Sequence, residues 1–169
     1  MASLASFDIS TGADLQEVDN AVNQATKEVA QRYDFKGSKA ALTFDRAAAT
    51  ITLVADDDYK MKALFDVLQA KLIKRGVPVK NLALGPITPA ANDTVRRAIT
   101  LTQGIPQEKA KAIVKTIKDK KFKKAQASIQ GDEIRVQAPS KDELQEVIAF
   151  LRTQDFGIEL KFGNYRGGA

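Results

Sequence analysis

Ile51-Thr52-Leu53-Val54-Ala55 and Ile134-Arg135-Val136-Gln137-Ala138 are two copies of one pattern, 83 positions apart. Carried onward, the same offset sets Met61 over Leu144, Leu64 over Val147, Phe65 over Ile148 and Leu68 over Leu151. In both copies apolar residues recur at every second position and then pass to 3.6-residue spacing. That change is expected where a half-buried strand feeds an amphipathic helix. The repeat therefore divides the 169 residues into two small units, roughly 75 to 80 residues each, a size at which a lone core is only marginally stable.

Working outward from the first copy, Ala40–Asp45 precedes Thr50–Ala55 as the other arm of a hairpin, with Leu42, Phe44, Ile51 and Leu53 facing the core. Upstream, Phe7 and Ile9 alternate with Ser6, Asp8 and Ser10 as a short strand. Asp14 with Glu17 reads as a capping box ahead of Leu15, Val18, Val22, Ala25 and Val29 on one helical face. Asp57 or Asp58 caps the next helix, Gly76 ends it, and Asn81–Leu84 reads as a closing strand. Gly85-Pro86 to Asn92-Asp93 has the composition of a linker. The second copy follows: a strand over Thr94–Thr102, a helix from Pro106, and a hairpin turning at Gly131-Asp132. A helix capped by Ser140 and a last strand with Ile158, Leu160 and Phe162 complete it.

The order is thus βαββαβ, linker, βαββαβ. This predicts an α+β protein with domains over 1–87 and 88–169. Each is a ferredoxin-like or RNP-like four-stranded antiparallel sheet with two helices on one face. The other face is left open, and along the second hairpin it carries Lys124, Gln126, Ser128, Gln130, Glu133, Arg135 and Gln137.

Composition narrows the chemistry. There is no Cys and no His, which removes disulfides, thiolate nucleophiles, imidazole bases and ordinary zinc sites. No phosphate-loop or dinucleotide fingerprint occurs. Asp56-Asp57-Asp58 has the residue type for a hard cation, but its place before a periodic helix favours capping. An acylphosphatase-like hydrolase shares the βαββαβ order, yet Ser10–Ala13 contains one Gly and no base with which to cradle a phosphate. The reading is therefore no enzyme, no metal and no cofactor. No apolar run reaches the ~18 residues of a membrane helix, and Met1–Ile9 lacks the marks of a signal peptide. The expected compartment is the cytoplasm, away from membranes.

Charge is uneven: residues 1–93 carry a net −1 and residues 94–169 a net +6. The excess gathers between Lys109 and Lys124, either a solvated helix face or a surface for a phosphate-bearing partner. Arg32-Tyr33-Asp34-Phe35-Lys36-Gly37-Ser38, inserted in the first copy only, sets aromatics beside cations. Tyr33 and Phe35 suit either base stacking or plugging the end of the core. Lys71, Lys74 and Arg75 complement a helix C-terminus, where Arg75 is also able to engage phosphate. Arg135 lies in mid-strand, where a helix terminus gives no reason for it. Gly163–Gly168 reads as a tail bearing Tyr165 and Arg166, a pair able to close over a ligand.

Arg32–Gly37, Ser6-Phe7-Asp8-Ile9, Lys71–Gly76, Ile129–Val136 and Phe162-Gly163-Asn164-Tyr165-Arg166 together resemble the YajQ family, in order over residues 6–166. The resemblance implies bacterial cytosolic proteins of two RNP-like domains that bind nucleotides. Some members are receptors for cyclic di-GMP linked to a transcription regulator. It also implies that the domains exchange their first strands, 6–10 and 94–102. The function expected is a receptor for a guanine-containing dinucleotide, with Arg32, Phe35, Lys36, Lys74, Arg75, Arg135, Tyr165 and Arg166 as site residues. RNA binding through the Lys-rich half is the alternative, although neither Thr50–Ala55 nor Ile134–Ala138 offers the aromatics on which RNP modules stack bases.

Overall fold

A computed structural model describes residues 4–167; Met1–Ser3 and Gly168–Ala169, which the leader and tail readings touch, lie outside the described residues. Two antiparallel sheets are present. The chain runs β1 (Ala5–Ser10), α1 (Leu15–Gln31), β2 (Ala41–Asp45), β3 (Thr50–Ala55), α2 (Asp58–Lys74), β4 (Leu82–Leu84) and β5 (Thr88–Ala90). It continues through β6 (Thr94–Leu101), α3 (Gln107–Asp119), β7 (Gln126–Gln130), β8 (Glu133–Ala138), α4 (Lys141–Arg152) and β9 (Lys161–Arg166).

One sheet has the order β2-β3-β6-β4, with β5 also on β6; the other has the order β7-β8-β1-β9. In each, the third position is filled by a strand from the far half of the sequence. The compact units are accordingly Gly12–Gln103 (the first unit) and Gly104 onward joined by the segment up to Thr11 (the second unit). The halves 1–87 and 88–169 are consecutive in sequence, whereas these units each borrow a strand. Phe7 and Ile9 are fully buried in the second unit's core with Ile134, Val136, Val147 and Leu151. Ile99 and Leu101 are buried in the first with Ile51, Leu53, Leu64 and Leu68. The apolar faces of β1 and β6 thus complete cores that neither hairpin fills alone.

Local chemistry explains most element ends. Asp14, Asp57 and Ser140 accept from the amides of Gln16, Lys60 and Glu143, satisfying donors that the first helical turns leave open. Asp57 is therefore a cap. Asp56 accepts from Ser38 Oγ and from the Lys39 amide, so Asp56 and Asp57 both serve structural roles. Glu17 does not close a capping box, because its carboxylate is drawn 3.1 Å from Arg75 Nε. Two further readings are corrected. The linker composition over 85–93 contains β5, paired along β6, with Asn92 and Asp93 both at positive φ in the turn between them. The tail of Tyr165 and Arg166 is β9, held against β1.

Candidate functional site

The expected site residues divide between the two units. In the first unit they are mostly occupied. Arg32 donates from Nε and from a terminal amine to Asp34 at 2.9 and 2.7 Å, and its other amine stands 3.5 Å from Glu28. The hydrogen bond to Asp34 is the main reason its pKa is raised. Phe35 is only 5% exposed, with Arg32 and Lys60 at 5.4 and 5.3 Å from its ring centre. Its ring plugs the core and is closed to a base, so the stacking role expected of it is corrected. Arg75 is paired with Glu17 and Lys71 with Glu28. Glu17 and Glu28 lie 11 residues apart on α1, about 16 Å of helix; Arg75 and Arg32 are thus not gathered into one site. Lys36 and Lys74 are exposed.

In the second unit two of the remaining three, Arg135 and Arg166, converge on one carboxylate. Alternation along β1 sends Ser6, Asp8 and Ser10 to the open sheet face, opposite the buried Phe7 and Ile9. Antiparallel pairing sets Asp8 directly across from Arg135, and Arg135 Nε donates to Asp8 Oδ1 at 3.1 Å. On the other side, β9 slips register against β1 between Ser6 and Asp8, with Asn164 at positive φ. The slip brings Asn164 Nδ2 to 2.5 Å from Asp8 Oδ2 and an Arg166 amine to 3.6 Å.

Burial pushes the Asp8 carboxyl up. The hydrogen bonds from Arg135 and Asn164, with the charges of Arg135 and Arg166, outweigh it and hold the group below its ordinary value. Asp8 is thus a carboxylate at neutral pH and a fixed anchor for two guanidinium groups. It engages Arg135 through Nε alone. Among the described residues the two terminal amines of Arg135 have no hydrogen-bond partner, and its side chain keeps 29% exposure.

Arg166 also borders a hollow of about 350 Å³ at the end of the β1–β9 pair, shared with Ser6, Lys141, Gln145 and Tyr165. Tyr165 leans on Phe7, ring centres 6.2 Å apart, and remains 57% exposed. One aromatic face and two cations, Arg166 and Lys141, thus border one hollow, and Asp8 ties Arg166 to Arg135 on the open sheet face. That is a set able to hold a phosphate and a flat base.

Asp8, Asn164 and Lys141 were not singled out from the sequence. The polar alternation of β1 was visible; its neighbour across the sheet was not, because the contact spans most of the chain. The Lys-rich stretch is partly used internally. Lys109 donates to the Phe156 carbonyl at 2.6 Å, Lys120 lies 5.3 Å from the Phe150 ring centre, and Lys121 and Lys123 share a hollow with Asp142, Glu143 and Glu146.

A family model described as nucleotide-binding protein YajQ-like matches residues 5–166. A relative from Koribacter versatilis, described as a nucleotide-binding protein, is 55% identical over 161 residues, covering 95% of this chain and 96% of the relative. Another so described, from Desulfitobacterium hafniense, is 53% identical over 166 residues, 98% and 100% of the two chains. One from Geotalea uraniireducens is 50% identical over 161 residues, 95% and 98%.

Proposed function

The chain belongs to the YajQ-like nucleotide-binding protein family, and from that premise we propose that it binds a guanine-containing dinucleotide of the cyclic di-GMP type without transforming it. The observation that carries the reading is the Asp8-anchored pair of Arg135 and Arg166. Arginine amines in a fixed fork suit a phosphate or the O6/N7 edge of guanine, and two such forks on one carboxylate suit a ligand bearing two of each. At the hollow that Arg166 borders, Tyr165 supplies a face for a base and Lys141 a further cation. Catalysis has no support in the residues: the chain has neither His nor Cys, and Asp8 is committed to its arginines. Regulation, in which the bound state is read by a transcription regulator in the cytoplasm, rests on the family resemblance.

The test is a calorimetric titration against GMP, GTP, cyclic di-GMP, cyclic di-AMP and a short RNA at several salt concentrations. The expected result is preference for the cyclic guanine dinucleotide with a shallow salt dependence, as two or three charge contacts give. Tightest binding to RNA with a steep salt slope would replace this reading with a Lys-based RNA surface.

A further inference from the structure

The open sheet face of the first unit carries a different polar pattern, and it belongs to none of the residues considered so far. By the 83-residue offset, Thr52 stands where Arg135 stands in the second unit, and Val54 stands where Gln137 does. Their cross-strand partners are Ala98 and Arg96, against Asp8 and Ser6 in the second unit. The first sheet therefore has no Asp–Arg pair at its centre. Its arginine lies one register step along, beside a valine.

Arg96 is exposed, and among the described residues it makes no hydrogen bond, ion pair or ring contact. Its neighbour Arg97 is spent on the Gly85 carbonyl at 2.9 Å. Arg96 borders an open hollow of about 530 Å³ with Val54 and Ala90 as apolar wall and Thr52 and Thr94 as hydroxyl-bearing neighbours. Asn92, at positive φ in the turn after β5, forms one end. Lys39 borders the hollow as well, held there by donating from Nζ to the Asn92 carbonyl at 2.8 Å. Among the described residues no carboxylate lines it.

We propose that this hollow is a second anion site, which takes a phosphate monoester: the phosphate on Arg96 and Lys39, the organic body on Val54 and Ala90. An arginine without an acidic partner is an uncompensated charge poised for an anion, and its planar fork matches two phosphate oxygens. Lys39 contributes a point charge already fixed in place, so little freedom is lost when the anion arrives. The volume is in the range of small-ligand sites, ~300–1,000 Å³, and the apolar wall favours an esterified phosphate over the free ion. The site stands on its own residues and does not rest on the dinucleotide reading.

The test follows backbone amide resonances of the whole protein during titration with inorganic phosphate, ribose 5-phosphate and GMP. Shifts are expected at Thr52, Val54, Thr94 and Arg96, with ribose 5-phosphate and GMP binding more tightly than phosphate. Arg96→Ala should weaken these titrations about tenfold or more and Arg96→Lys by less, while Arg135→Ala leaves them unchanged. Failure of the dinucleotide site would show at Arg135 and Arg166, and failure of this one at Arg96. Absence of shifts at these four amides with all three probes at millimolar concentration would overturn the proposal, as would an unaltered titration of a folded Arg96→Ala protein. Equal binding of all three probes would reduce it to an adventitious ion only.

Discussion

Nε of Arg135 lies 3.1 Å from Oδ1 of Asp8, although 127 positions separate the two in the chain. The pair exists because β1 leaves its own half and inserts between β8 and β9. A contact of topology thereby becomes a contact of chemistry: the strand that completes the second core on one face delivers, on the other, the carboxylate that orients two arginines.

Asp8→Asn removes that carboxylate's charge from a position only 8% exposed. Loss of its charge-assisted hydrogen bonds should cost roughly 1–3 kcal/mol of stability at pH 7. The folded-state pKa is depressed below the ordinary 3.8. The stabilisation is therefore complete above that value and fades as pH falls through the lower folded-state value. Denaturant melts of parent and variant should differ by a constant amount from pH 5 to 8 and converge below pH 4. A difference that persists undiminished at pH 2 would mean the carboxylate's charge is not the source.

Leu64 and Val147 occupy equivalent positions of the repeat and are both fully buried, one in each core. Leu64→Ala and Val147→Ala should each cost about 1–4 kcal/mol. Measured by chemical denaturation, a cost under a few tenths for either would contradict the equivalence of the two cores.

Phe7→Ala tests the strand exchange in the intact protein. Phe7 is fully buried among second-unit residues and touches the Phe162 ring edge-on at 5.9 Å between centres. Truncation should cost about 3–5 kcal/mol. It should accelerate amide exchange in β8 and β9 while sparing β2 and β3. Faster exchange confined to β2 and β3 would place β1 in the other sheet.

Much of this fold can be read in the sequence because helix and strand periods are local. The faces of α2 and α4 follow from Met61–Leu68 and Leu144–Leu151, and the hairpin turn at Gly131-Asp132 from its residue types. The exchange of β1 and β6 is non-local: Phe7 and Ile9 announce a strand but carry no mark of which sheet receives them. The same limit governed the site. Arg135 is visible as an arginine out of place in a strand, whereas Asp8 becomes its partner only through register. Arg32 and Phe35, conspicuous in sequence, are consumed by Asp34 and by the core. Arg96, hidden in a strand of ordinary composition, is the arginine left without a partner among the described residues.

Under the proposed binding role, incubation with GTP, an acyl phosphate or cyclic di-GMP should give no sustained turnover by purified protein, since the chain has no His or Cys and the Asp8 carboxylate is tied to its arginines. The check is product formation over many enzyme equivalents. Multiple turnover abolished by a single carboxylate substitution would refute a purely binding role.

The central claim is that Arg135 contacts ligand, and calorimetric titration of cyclic di-GMP into parent, Arg135→Ala and Arg135→Lys proteins tests it most directly. Truncation also removes the Nε bond to Asp8, so the melting temperature should fall by several degrees while the protein stays folded. The truncation should weaken binding by roughly 1–3 kcal/mol, with lysine recovering only part. Binding of cyclic di-GMP by a folded Arg135→Ala protein as tight as the parent's would contradict the account.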